Sequence, residues 1–413
     1  MTATFFSLLV IALVALIGPL VAGAIPGKPI PEVVFLIFLG ALLGPHMAGV
    51  LEIGEGVRTV SQLGAAFLFL IAGYEVNQRD LRSGLALSAS VAWAGCFALG
   101  LVLVTLVVPG QPTSLHNLAL VIVLTTTAYG TLAPILKERG TMGTMEGRAI
   151  VAHGVAGELF PILAIAILLT TGARWQAVLT VVVFFVVAVI MAIVPARARR
   201  MGSRMYHVVE KVRETNTNSQ TLVRAVVVLL LVLVVFSALV QLDVALGAFA
   251  AGGALRYIIP DGDHALEQKI QAVGFGFLIP VFFVVSGAGI DLPSVMGNPI
   301  ALLGTVALIL VTRGLPVLLS TFASRQTRGF SPIQRIEVTL YSTMALPLIV
   351  AVCSVAVDGG FMTAETSSIL ITAGAVTVLV VPALVSLARA LLGGRGDTQP
   401  PAGARTAGGD ANL

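Results

Sequence analysis

Apolar residues fill most of this chain in long runs, broken by short polar stretches. Thirteen such runs stand out, at about 4–24, 31–51, 59–76, 86–109, 115–136, 147–171, 175–196, 221–240, 243–258, 268–290, 299–323, 332–357 and 365–391. Most approach the ~20 residues an α-helix needs to cross a bilayer. The pattern therefore predicts an all-α membrane protein with 13 transmembrane helices. The run at 243–258 is short, and its Gly247, Gly252 and Gly253 predict close packing against a neighbour.

Composition sharpens this picture. The chain is 57% hydrophobic and only 11% charged, against about 25% charged in soluble domains. A net charge of +4 is read as loop Lys and Arg held on one side of a membrane, and no nucleic-acid partner is expected. Of the 24 Lys and Arg, an N-out, C-in topology leaves only Arg58 and Arg174 in outside loops and Arg313 within a span; the rest fall inside. One span missed or added early in the chain would destroy that split. The N-terminal MTATFF has no basic region of the kind that opens a signal peptide, so the first run is expected to be a true span. Cys96 and Cys353 both lie in apolar runs, which argues against a disulfide framework or a transition-metal site.

The longest and most basic loop runs from Pro195 to Thr221. It divides a transmembrane domain, 1–392, into one half within about 1–196 and another within about 221–392, with a cytoplasmic linker at 197–220. The Gly-, Ala- and Pro-rich segment 393–413 is expected to be a disordered cytoplasmic tail.

Two opposite charges are expected near mid-membrane: Glu158 in the sixth run and Arg313 in the eleventh. A carboxylate at that depth costs about 2.5–3.5 kcal/mol on insertion scales and needs a partner or a wet cavity. Pairing with Arg313 as counter-charge would lower the penalty on both. Two runs also look interrupted in mid-membrane. The fifth carries Thr125, Thr126, Thr127, Gly130 and Pro134; the twelfth carries Ser342, Thr343 and Pro347. Proline removes a backbone donor, and unwound backbone persists at this depth only where protein or a cavity surrounds it. Each interruption is in the fifth run of its half, the pattern that points to a transporter site.

The chemistry follows from those groups. Burial disfavours a bare carboxylate, so Glu158 is occupied either by a proton or by a cation. Freed carbonyls and the hydroxyls of Thr126 and Thr127 would supply the other oxygens for Na⁺ or K⁺. Loading is then exclusive and exchange obligatory.

Several strings complete the reading. They are IPEVVFLIFLGALLGP (30–45), LGAAFLFLIAGYEVNQRDLR (63–82), LGAFAAGGAL (246–255), FGFLIPVFFVVSGAGIDL (275–292) and ALPLIVAV (345–352). In this order, over most of residues 5–390, they resemble the monovalent cation:proton antiporters of the second branch, which include bacterial Na⁺/H⁺ exchangers and Kef-type potassium-efflux carriers. The resemblance implies two inverted repeats, a core domain with two crossed discontinuous helices, a flatter dimerisation domain, a homodimer and elevator-like alternating access in an inner membrane. In that family an Asp, usually preceded by Asn, Gln or Asp, binds the ion; Glu158 and Gly157 occupy those two positions here. Arg313 matches the family's basic residue, and Thr126 and Thr127 its Ser/Thr pair at the first crossover. A single titratable carboxylate implies electroneutral exchange of one cation per proton. The ligand-gated control of some Kef-type members is not expected.

His153 lies five residues before Glu158 and reads as a core histidine, Glu75 as interfacial, His46 as a surface histidine, and Gly40 with Gly44 as a helix-packing pair. Two other readings stay open: a carrier of an organic anion bound by Arg313, and a transport-dead membrane sensor. No nucleophile triad, phosphate loop or cofactor motif appears, so neither an enzyme nor a cofactor is expected.

Overall fold

In lipid, backbone N–H and C=O groups must find partners within the protein, so apolar runs of this length close their hydrogen bonds as helices. The computed structural model describes residues 2–24, 32–75, 84–108, 114–128, 132, 136, 140–168, 178–184, 186–189, 218–240, 242, 244–259 and 264–392, and no strand occurs among them. The helices are α1 (Thr2–Ala24), α2 (Glu32–Leu43), α3 (Glu55–Glu75), α4 (Gly84–Val107), α5 (Leu115–Leu124), α6 (Met145–Leu168), α7 (Asn218–Leu239), α8 (Val244–Ile258), α9 (His264–Val273), α10 (Ile279–Ala288), α11 (Leu292–Gly297), α12 (Pro299–Ala323), α13 (Pro332–Tyr341), α14 (Leu346–Asp358) and α15 (Ala364–Leu392). Among the described residues, nine helices are long and apolar enough to cross a bilayer, counting α9–α10 and α13–α14 as one each. The shorter apolar helices are Glu32–Leu43, Leu115–Leu124, Val178–Val189 and Val244–Ile258. The chain is a multi-pass membrane protein, as its hydropathy predicts.

Local chemistry sets the helix ends. Ser331 accepts from the backbone of Gln334, whose side chain accepts in return from the Ser331 N–H, and Pro332 opens α13. Asn298 caps α12 in the same sense ahead of Pro299. Between α9 and α10, residues Gly274–Leu278 form a π-helical turn. Pro280 follows it; its ring would meet the carbonyl four residues back, and the wider turn relieves that clash.

Burial tells the layers apart. In α6 and in the α13–α14 run, 72% of the apolar window is buried, against 22% in α1, α4 and α7. The first two form the centre; the others line the outside, with exposed rows such as Leu87, Val91, Val102 and Leu106 on α4. To one side, α3 packs along α8 and α2 along α10, backbone against backbone. A Cβ on Gly73 would come within 2.0 Å of the Phe249 carbonyl oxygen, and one on Gly252 within 2.0 Å of that of Leu70. Gly40 and Gly44 pack against Val284 and Ala288 in the same way, as their spacing predicts. Gly247 lies against Leu233 and Ser237 of α7, whereas a Cβ at Gly253 would meet open space. To the other side, α4 packs on α12 and α6, and α12 and α13 on α15.

Candidate functional site: two interrupted helices crossing beside Glu158

The site begins with a proline. Pro161 lies within α6 and has no N–H, so the carbonyl of Gly157, four residues earlier, loses its helical donor. The Thr127 N–H takes that place, at 2.8 Å. Thr127 belongs to the stretch after α5, where the helix stops at Thr125 and residues 126–128 run on without helical structure. The next residue, Ala128, donates its N–H to the carbonyl of Met344 at 3.0 Å. Met344 lies in the second interruption, between the end of α13 at Tyr341 and the start of α14 at Leu346. The two interrupted helices thus meet each other and α6 beside Glu158.

The hydroxyls in these breaks close the helix ends. Thr126 donates to the Val123 carbonyl at 2.7 Å, Ser342 to Val338 at 2.7 Å and Thr343 to Leu340 at 2.6 Å. Thr127 instead reaches across the crossing and donates to the Ser342 carbonyl at 2.6 Å. Pro347, at the second position of α14, restarts that helix where a missing N–H does least harm.

Arg313 enters this crossing from α12 and is fully buried. Its Nε donates to Thr127 Oγ1 at 2.8 Å and to the Ser342 carbonyl at 3.3 Å; Nη2 donates to the His153 carbonyl at 2.7 Å; Nη1 lies 3.5 Å from Cys96 Sγ. The C-termini of α5 and α13 both direct partial negative charge here, and the guanidinium balances them. These hydrogen bonds tie it to the two breaks, to α4 and to α6. It also lies against the residue before Glu158: a Cβ on Gly157 would fall 2.4 Å from Arg313 Nη2 and 2.5 Å from Thr127 Oγ1. The missing side chain at 157 is the space that the arginine fills. Glu158 itself is 6% exposed.

His153 is buried, with Nε2 3.2 Å from Ser320 Oγ, but its Nδ1 has no hydrogen-bond partner among the described residues, so it is not the fully satisfied core histidine that the sequence suggests. Gly130 and Pro134 lie outside the described residues. Glu75 is half-buried and lines a cavity of about 160 Å³ with Tyr74, Arg256, Glu267 and Gln271. No group of three His, Cys, Asp or Glu suited to a metal ion occurs among the described residues.

Sequence reasoning missed a second polar cluster at the α13 end of the core. Arg389 of α15 grips Glu337 of α13 with two nitrogens, Nη2 at 2.6 Å from Oε2. Arg335 donates to the carbonyls of Thr321, Arg328 and Phe330. The signal was present: Arg335 and Glu337 stand two residues apart at the start of a run long enough to span a bilayer. Pro161, four residues after Gly157, was equally legible and equally overlooked.

Crossed, interrupted helices around a buried carboxylate define an ion-carrier fold, and the comparisons agree. The chain belongs to the sodium/hydrogen exchanger family, whose transmembrane model matches residues 10–388. It is 27% identical over 307 residues to the putative Na⁺/H⁺ antiporter YjbQ of Bacillus subtilis, covering 69% of this chain and 47% of that one, so it spans about half of that relative's length. It is 23% identical to the Na⁺/H⁺-K⁺ antiporter GerN of Bacillus cereus, over 65% of this chain and 68% of the relative. The fold resembles that of the sodium proton antiporter MjNhaP1 of Methanocaldococcus jannaschii, with a TM-score of 0.66, 16% identity and coverage of 94% and 98% of the two chains.

Proposed function

We propose that this protein exchanges a monovalent cation, Na⁺ or K⁺, for H⁺ by alternating access, with Glu158 loaded in turn by proton and cation. The observation that carries this reading is the crossing of two interrupted helices on the Gly157 carbonyl, one residue from a buried carboxylate. Thr126 and the unwound carbonyls complete the cation's oxygen shell. Thr127 belongs to the same shell, and its hydroxyl is also held by Arg313. Arg313 supplies the fixed counter-charge, Ser342, Thr343 and Pro347 keep the second break open, and Gly130 and Pro134 do the same for the first. One carboxylate carries one charge in either direction, so exchange is electroneutral. An organic anion is disfavoured because all three guanidinium nitrogens of Arg313 already hold protein partners.

The wider architecture belongs to the same proposal: 13 spans, N-out and C-in, in an inner membrane as a homodimer, with inverted repeats on either side of the 197–220 linker and a 393–413 tail. The Lys and Arg distribution supports the topology. The repeats are supported by reciprocal packing. Exchanging the two halves turns the α2–α10 pair into α3–α8, the α4–α6 pair into α12–α15, and α4–α12 into itself.

Competition at one carboxylate gives a direct test. In everted vesicles carrying the protein, lowering the pH should raise the half-saturating cation concentration, by about tenfold per unit where the protonated form dominates, at constant maximal rate. A half-saturation indifferent to pH contradicts the reading. An imposed membrane potential should leave rate and end-point unchanged; a shift in either contradicts electroneutrality.

A further inference from the structure

Two cavities, of about 350 Å³ and 640 Å³, lie at the end of the bundle where α14 finishes and α3 begins. Both are lined by Gln62, Ala65, Phe282, Ser354 and Asp358, so they are two lobes of one cleft between α3 and α10 on one side and α14 on the other. The smaller lobe reaches Val350, one turn from the first residue of α14 and hence from the crossing. The larger reaches Ile165 of α6, seven residues and about 10 Å along the helix from Glu158. Each lobe thus runs down an element that carries the candidate site.

Among the described residues, Asp358 is the one carboxylate lining either lobe, and it lines both. It is exposed and makes no hydrogen bond or ion pair with another described residue. It is also the last residue of α14, where the helix dipole favours a base over an acid. Neither folding nor capping therefore accounts for a carboxylate at this position. Ser354, one turn deeper, shares its face of the helix and continues the polar strip inward. Gln62 faces the cleft from α3, and Arg58, one turn before it, lines only the smaller lobe. Glu55 at the start of α3 and Glu365 in the first turn of α15 add negative charge at the same end. A charge in a cleft with low-dielectric walls raises the local concentration of its counter-ion more than the same charge on open surface.

We infer that Asp358 concentrates monovalent cations at this mouth of the route to Glu158, with Arg58 setting how strongly it does so. The inference rests on the exchanger reading and on the topology that puts this end outside.

The test uses the full chain in right-side-out vesicles, with Na⁺ or K⁺ added externally and proton flux recorded. At low ionic strength Asp358→Asn should raise the half-saturating external cation concentration about three- to tenfold at unchanged maximal rate. Adding choline chloride should close that gap. Asp358→Glu should restore wild-type half-saturation, and Arg58→Gln should lower it. In everted vesicles, where the cation arrives from the other face, Asp358→Asn should match the wild type. An unchanged external half-saturation overturns the inference, as does a shift that is equal from both faces or persists at high salt. If the wild type itself gives no cation-dependent proton flux, the exchanger reading has failed. Wild-type exchange with an indifferent Asp358→Asn removes this inference alone.

Discussion

The two flanks of the bundle hold their helices together by different means. Where α3 meets α8 and α2 meets α10, glycines bring backbone onto backbone and few polar groups intervene. Where α5, α6, α12 and the α13–α14 break converge, the joints are hydrogen bonds to carbonyls that regular helices would have satisfied themselves, Gly157, Ser342 and Met344, with one more from Arg313 to the His153 carbonyl. A Cβ in the first kind of joint strikes backbone, which cannot yield. A Cβ at Gly157 strikes side chains instead, Arg313 Nη2 at 2.4 Å and Thr127 Oγ1 and Cβ at 2.5 and 2.6 Å, and fits only if the hydrogen bonds of Arg313 rearrange. In the proposed mechanism the first flank stays fixed, and the second contains the groups that a moving ion needs.

Substitutions can break that contrast or sharpen it. The largest effect is expected from Arg313→Ala, which removes the donor to three oxygens and leaves two helix C-termini without compensation. It should destabilise the protein by about 3–5 kcal/mol, read as a loss of thermal stability in detergent; Arg313→Lys should recover only part, because an ammonium cannot reach the same partners at once. Next, Gly252→Ala forces α3 and α8 apart and should cost about 1–3 kcal/mol, while the protein that survives keeps a wild-type half-saturating cation concentration. Gly157→Ala should reverse that pattern, with a smaller loss of melting temperature and a fall in exchange rate of about tenfold, equivalent to ~1.4 kcal/mol. Thr127→Val is the mildest, at about 1 kcal/mol, with Thr127→Ser close to wild type. Equal stability losses at Gly252 and Gly157, with transport unaffected by either, would erase the distinction between the flanks.

Much of this was legible in the residues. The apolar runs placed every described helix except the short α11, Leu292–Gly297, which falls between the tenth and eleventh runs; in lipid a run of sufficient length has no alternative to helix. Ser342, Thr343 and Pro347 marked one break and the threonines after Leu124 the other, because proline and hydroxyl-bearing residues act on their own local backbone. The direct partners of Arg313 were not legible. Cys96, His153 and Ser342 come from three other segments, and what joins them to Arg313 is the crossing geometry, which leaves no periodic trace. The fit of Arg313 into the space at Gly157 was hidden for the same reason: an absent side chain does not announce what occupies its place. Asp358 drew no reading from the sequence, because the cleft it lines is built from segments far apart in the chain.

The account stands on Glu158 as the one group that proton and cation share. The direct test is dye-dequenching exchange in everted vesicles with Na⁺, K⁺ and Li⁺, comparing wild type with Glu158→Gln at matched amounts of monodisperse protein. The account predicts cation-dependent proton flux from the wild type and none above control vesicles from Glu158→Gln, for every cation at every pH. Wild-type-like exchange by Glu158→Gln would contradict it.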